Sequence, residues 1–248
     1  MFVAYSASLV LSAIYHGLAG EPGPFLPIVG FGVLSGTMFL VALLLFIHNS
    51  GQRGLAICSA ITSTSALIPA GLSIALGDHP TVIQSTGILV AGAAMPLLSL
   101  ATVTGKAIHE RPNGWLALAF FLAQGGAISG NLLAFKFLPE GSRPLYLMVV
   151  FVWAGFLALI ICLVKRREFL RGDLGRGIAL AFSNTFSVIA ILVGLNYVVG
   201  FIFFPVGFVL VLATNTAIAR LVWHERIKPW GWVGLGLAGI ATVLLNIK

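Results

Sequence analysis

The sequence predicts an all-α membrane fold: a polytopic helical bundle of about nine transmembrane helices with an inverted-topology internal repeat. Three observations predict it. The 248 residues are 59% hydrophobic and only 8% charged, with a mean hydropathy of +1.06, against about 25% charged for an ordinary soluble domain. Apolar windows of about 20 residues, long enough to cross a bilayer, recur along the whole length. The spacing of small residues also repeats at an offset of 147.

The windows fall at 2–19, 25–48, 54–76, 82–103, 115–135, 145–164, 177–199, 201–222 and 230–246. The first lacks the positively charged leader of a secretory signal and reads as a retained span. The third carries Thr62, Ser63, Thr64 and Ser65 at its midpoint. In the fifth, Gln124 is central and Asn131, seven residues on, shares its helical face. The seventh holds Ser183, Asn184 and Ser187, and the eighth Thr214, Asn215 and Thr216. Tyr15, Trp115, Tyr197, Trp223, Trp230 and Trp232 stand where an aromatic belt belongs, and Lys136 and Arg220 are placed to snorkel. The longest connection, Lys165 to Arg176, leaves no room for a soluble domain. Cys58 and Cys162 both lie in apolar runs, and their spacing supports neither a disulfide framework nor a thiolate metal site.

The net charge of +7 is explained by its placement rather than by nucleic acid. If the spans alternate in direction, one side collects Arg53, Lys106, Arg111, the five basic residues between Lys165 and Arg176, Arg220, Arg226 and Lys228, and the other only Lys136, Arg143 and Lys248. Eleven against three puts the crowded side in the cytoplasm. The expectation is a multi-pass protein of the cell (inner) membrane, N-terminus cytoplasmic and C-terminus outside.

The last window contains GLGLAG, residues 234–239, which spells the dinucleotide fingerprint G-x-G-x-x-G. That motif needs a strand before it and a helix opening at its glycines, whereas these glycines lie within a span. Gly234 and Ala238, four apart, instead make a small-xxx-small face for close helix approach. Shifted by 147, residues 77–92 lie over 224–239, so that Asp78 meets Glu225, Gly87 meets Gly234, Ala91 meets Ala238 and Gly92 meets Gly239. Upstream, Asn49 meets Asn196 and Phe39 meets Phe186 in the same register. A displacement of five spans inverts one copy relative to the other. Residues 1–104 then form a first, incomplete four-helix repeat and residues 112–248 a second, five-helix repeat.

An acid closing a span, then an aromatic run and a glycine-rich last helix, resembles the end of each half of the drug/metabolite transporter superfamily, in its ten-helix EamA-like branch. His224, Glu225, Arg226, Trp232, Gly234 and Gly239 carry the likeness, with Gly77, Asp78, Gln84, Gly87 and Gly92 as a weaker echo. Residues 177–227 also look like that family's eighth and ninth helices, including the proline near the start of the ninth, here Pro205. The resemblance implies a carrier in which the family's first helix is missing, because 115–135 has no counterpart in the first half. The family usually keeps the connection after its seventh helix outside; here that connection holds five of the fourteen basic residues, so orientation follows the charge bias.

All seven acids sit in loops or at span ends. Nothing at bilayer depth matches the embedded glutamate of the small multidrug pumps in the same superfamily, and Glu225 reads as an interfacial cap or ion-pair partner. The mid-depth groups are neutral: Gln124, Asn131, Asn184, Asn215, Thr64, Ser65 and Ser187, with Tyr197 beside Asn196 at a span end. These eight are the candidate substrate-binding residues. His16 and His48, each near a span end, are the candidate proton carriers. The reading is an integral-membrane secondary carrier for a small polar or amphipathic metabolite, with its substrate near the midplane between the two repeats. It is not an enzyme and needs no cofactor or metal. Its partners are the lipid bilayer and a small-molecule substrate, with a homo-oligomer left open. An integral-membrane lipid-modifying enzyme and a non-transporting membrane subunit are the alternatives. The charge bias predicts that a cysteine beside Arg167 resists a membrane-impermeant thiol reagent in intact cells while Gly23→Cys is labelled; the reverse pattern would overturn the orientation.

Overall fold

The computed structural model describes residues 2–21, 23–53, 55–100, 114–164, 171–222 and 229–247. Outside them lie Lys106, Glu110, Arg111, the basic run 165–170, and 223–228 with Trp223, His224, Glu225, Arg226 and Lys228. The order is α1 (Phe2–Ala19), α2 (Phe25–Arg53), α3 (Leu55–Thr64), α4 (Leu67–Ala75), α5 (Val82–Leu100), α6 (Gly114–Phe137), a 3₁₀ turn (Glu140–Ser142), α7 (Arg143–Val164), α8 (Arg171–Gly194), α9 (Gly200–Val222) and α10 (Pro229–Asn246). No strand occurs among the described residues. Six helices, α1, α2, α6, α7, α8 and α10, contain stretches long and apolar enough to cross a membrane, so the chain is an all-helical, multi-pass membrane protein. In hydrocarbon a helix is the solution for a single segment, because it satisfies its backbone internally.

The window expected at 54–76 is two helices, and the cause is Pro69. Proline has no N–H and crowds the carbonyl four residues back, here that of Ser65. Ser65 O instead accepts from the Ile68 amide at 3.0 Å, and Ser63 O from the Ala66 amide at 3.1 Å, tightening the chain into a 3₁₀-like turn. α4 ends in a Schellman motif: Gly77, at φ +100°, donates to Ile74 O at 3.0 Å and Asp78 donates to Ser73 O at 3.2 Å. The Ser73 hydroxyl also bonds the Asp78 carboxylate.

The helices group into two compact units. The first comprises Met1–Val41 and Gly126–Tyr197. In it α1 packs on α7 and α8 through a buried face of Ala4, Tyr5, Ser8 and Ser12. Ser8 donates across to Ala181 O at 3.3 Å. The amide of Glu21, just past α1, donates to Gly141 O at 2.7 Å just before α7, while Gly155 sits opposite Tyr5, so α1 and α7 run antiparallel. Gly32 and Gly36 admit α7 against α2: a methyl on Gly36 would stand 2.6 Å from Val150 O. Gly23 abuts Ser142, which makes the exposed Pro24 the better cysteine position for orientation labelling.

The second unit comprises Ala42–Gly125 and Val198–Lys248. Its principal contact is α5 against α10. α5 opens with a capping box, in which the Thr81 amide donates to Gln84 Oε1 at 2.9 Å and the Gln84 amide to Thr81 Oγ1 at 3.3 Å. Gln84 Nε2 then reaches Ile247 O at the end of α10, 3.2 Å away. The buried stripe of α5, Gln84, Gly87, Ala91 and Ala94, recurs 147 residues later as Gly231, Gly234, Ala238 and Ala241 of α10. All of GLGLAG is inside α10: Gly234 is on the buried stripe, while Gly236 and Gly239 are exposed. A methyl on Gly87 would stand 2.9 Å from Leu245 Cγ, whereas one on Gly236 meets nothing within 4 Å. Overpacking a close contact costs about 1–3 kcal/mol. Gly87→Leu and Gly234→Leu should therefore lower the folded yield in detergent, read by size-exclusion chromatography, and Gly236→Leu should leave it unchanged.

Candidate functional site

In the first unit, α2, α6 and α7 bring three polar side chains together inside apolar helices. Tyr146, Ser35 and Asn131 are 0%, 0% and 1% exposed. The Tyr146 hydroxyl lies 2.9 Å from Ser35 Oγ and 3.1 Å from Asn131 Oδ1. An amide oxygen can only accept, so the phenol donates to Asn131 and Ser35 donates to the phenol. Gly130 makes the meeting possible, since a methyl there would stand 2.9 Å from Ser35 Cβ. About two turns further along α7, Trp153 Nε1 donates to Thr37 Oγ1 at 2.9 Å, and Thr37 donates to Val33 O at 2.8 Å. These groups are satisfied. Asn131 Nδ2 is not: it is buried with no partner, as is the neighbouring Ser129 hydroxyl. Two N–H donors held in an apolar interior, stripped of water and unpaired, favour any ligand atom that can accept.

In the second unit the polar feature is the turn between α3 and α4. Ser63 and Ser65 are 4% and 0% exposed, Ser65 Oγ donates to Thr62 O at 2.6 Å, and the Thr62 hydroxyl is buried without a partner. Thr64 closes α3 and is half-buried. Gly125 of α6 packs against Ile68, where a methyl would meet Ile68 Cβ at 2.8 Å, which brings the Gln124 turn of α6 to the α4 side of the break. Gln124 itself is half-buried and makes no hydrogen bond within the described residues.

The other expected residues are placed as follows. Asn184 is half-buried and Ser187 exposed on α8, and neither is bonded within the described residues. Tyr197 lies just beyond α8 and is 83% exposed. Asn215 is on α9, with its side chain outside the described set. Asn196, beside Tyr197, joins an exposed clasp: Arg143 Nη1 donates to Asn196 Oδ1 at 2.9 Å, and Asn196 Nδ2 donates to Glu140 Oε1 at 3.2 Å. Arg143 also donates from Nη2 to Phe135 O at 3.2 Å, its guanidinium 4.3 Å from the Phe135 ring. His16 is half-buried with Nδ1 unpartnered, and His48 is exposed.

Sequence reasoning found Asn131 but missed Ser35 and Tyr146, the two groups that hold it. Tyr146 stands at the start of a span, where a tyrosine passes for a belt residue, and Ser35 sits in a run of small and apolar residues. The one usable signal was Gly130 beside Asn131, a small residue next to an amide. Removing the phenol oxygen leaves both partners buried and unpaired, at about 1–3 kcal/mol. Tyr146→Phe should therefore lower the thermal midpoint of the detergent-solubilised protein, followed by tryptophan fluorescence, whereas Ser50→Ala, on an exposed carbonyl-bonded hydroxyl, should not.

The chain matches no family model and no curated protein.

Proposed function

We propose that the chain is a secondary carrier that moves a small polar or amphipathic metabolite by alternating access, built on the plan of the EamA-like drug/metabolite transporters. The observation that carries this reading is the buried small-residue stripe of α5 returning in α10, 147 residues later. Val82 and Pro229, which open those helices, are separated by the same interval. Counting α3 and α4 as one broken helix, α5 is fourth and α10 ninth among the described residues, a displacement of five, which is the spacing an inverted repeat requires. Broken helices in such carriers line the substrate path, and the Pro69 break sets Ser63, Ser65 and the unpaired Thr62 hydroxyl at one. Orientation follows the basic residues, with the N-terminus cytoplasmic.

Asn131 is the residue on which substrate recognition rests. Its free N–H pair calls for a carbonyl, carboxylate or hydroxyl oxygen on the substrate, and Tyr146 fixes the amide's orientation. Gln124, Asn184 and Asn215 are the further amides that the sequence nominates. With the acids in loops and at span ends, facilitated diffusion or exchange is the expected mode.

Counterflow by the purified protein in liposomes, against amino acids, sugars, nucleosides and cations, tests the reading. At least one solute should exchange saturably. Asn131→Ala should then weaken its apparent affinity about tenfold, the loss of a buried hydrogen bond, while the protein stays folded. Gln124→Ala, Asn184→Ala and Asn215→Ala should each weaken it several-fold, and replacing His16 and His48 together should matter less. Loss of transport in the double histidine variant with normal transport in the four amide variants would make the protein a histidine-coupled pump instead.

A further inference from the structure

We propose that a groove between α1 and α7 is a lipid site, which seats the start of one glycerolipid acyl chain and binds its ester carbonyl through the Tyr5 hydroxyl. The groove has a volume of about 200 Å³ and is lined by Phe2, Tyr5, Ser6, Leu9, Phe151 and Gly155. Val152 and Phe156 complete the lining and are 49% and 51% exposed. On helices that cross a bilayer, such exposure is to hydrocarbon, so the occupant comes from the membrane. No charged side chain lines the groove. Its volume is below the ~300 Å³ at which small-molecule pockets begin, and it suits a slender chain segment.

Tyr5 identifies the polar end of the occupant. It is only 2% exposed and its hydroxyl makes no hydrogen bond within the described residues, while the side chain lines the groove. Tyr146, equally buried, has two partners. A phenol stripped of water is costly until an acceptor reaches it. Depth identifies that acceptor. The turn that joins Glu21 to Gly141, between the end of α1 and the start of α7, marks one boundary of the ~30 Å hydrocarbon. Tyr5 lies 14 residues before Ala19, the last residue of α1, about 21 Å from that boundary at ~1.5 Å per residue, and so about 9 Å inside the opposite one. Helical side chains lean toward the N-terminus, which carries the hydroxyl closer still to that boundary. The ester carbonyls of a glycerolipid lie there, with the acyl chain descending from them past Leu9 and Phe151. Gly155 keeps the floor open, since even a methyl there would touch Tyr5 Cβ at 3.5 Å.

The test uses the full chain in dioleoylphosphatidylcholine vesicles doped with phosphatidylcholines carrying a diazirine near the head of the chain, in ester-linked and ether-linked forms. Photolysis and peptide mass spectrometry locate the adducts. The segments 2–9 and 151–156 should be labelled well above the lipid-facing Leu118 and Leu122 of α6, which are 45% and 54% exposed. The ester-linked probe should be preferred about fivefold, the worth of one net hydrogen bond. Tyr5→Phe keeps the ring and should abolish that preference without abolishing labelling. Gly155→Leu should remove labelling at the groove and leave it on α6. Gly155→Ala, a milder change that should fold even if the leucine variant does not, should reduce groove labelling. Groove labelling no stronger than that of α6, equal labelling by the two probes, or an ester preference that survives Tyr5→Phe would each overturn the proposal.

Discussion

Helices surrounded by hydrocarbon gain little by burying apolar side chains against one another, because lipid tails are as apolar as leucine. What holds them together is close contact and directed polar bonding, and close contact needs residues with almost no side chain. Within each unit the helix crossings are built on such residues. Gly36 lets the backbone of α7 come within reach of α2, Gly177 does the same for α1 against α8 at Val3, and Gly87 admits Leu245 of α10 onto α5. The stripe Gly231, Gly234, Ala238, Ala241 is a run of this kind on one helix, and its sequence resembles a nucleotide-binding loop only because both uses need glycine. In the loop, glycine frees the backbone; in α10 it thins the helix.

The same solvent makes unpaired polar atoms conspicuous. Several hydroxyls and amides within these helices return to their own backbone: Ser12 to Ser8 O, Thr37 to Val33 O, Asn49 to Leu45 O, Thr242 to Ala238 O and Asn246 to Thr242 O. Bonds of this type need no second helix and carry little information. Against that background, Asn131 Nδ2 and the Thr62, Ser129 and Thr185 hydroxyls stand apart, buried without a partner. Asn131 is the most constrained of them, because Tyr146, itself bonded to Ser35, fixes one side of its amide and leaves the other without a partner.

The corresponding segments of the chain are alike in outline and different in detail. α5 and α10 share their buried positions, but α3 and α4 are broken where α9 runs continuously over 200–222. Pro69 accounts for the difference: the position 147 residues later is Thr216, which keeps its N–H, and the proline of α9 is Pro205, near the start of its helix where fewer carbonyls are disturbed. A duplicated plan with one broken member gives the two copies unequal polar content at the break, with Ser63 and Ser65 buried in the first.

Sequence alone determined where the helices lie. The first window, 2–19, matches α1, and 82–103 and 230–246 match α5 and α10 to within a few residues, because run length and hydropathy are local properties and the bilayer fixes the length required. It also gave the inward face of α10, since a small-xxx-small pattern has one structural use in a membrane helix. The Pro69 break was legible in principle, from a proline in mid-window, yet was read only as a polar patch at Thr62 to Ser65. Sequence could not tell which polar groups would be paired. Asn131, Asn184 and Gln124 look equivalent as letters, but only Asn131 meets a tyrosine, 15 residues later in the chain, which is itself bonded to a serine of a third helix. Nor could it show that Tyr5, an ordinary aromatic near a span end, would be enclosed with its hydroxyl unbonded. Pairing and enclosure are set by which helix faces meet, and that is a property of the tertiary structure.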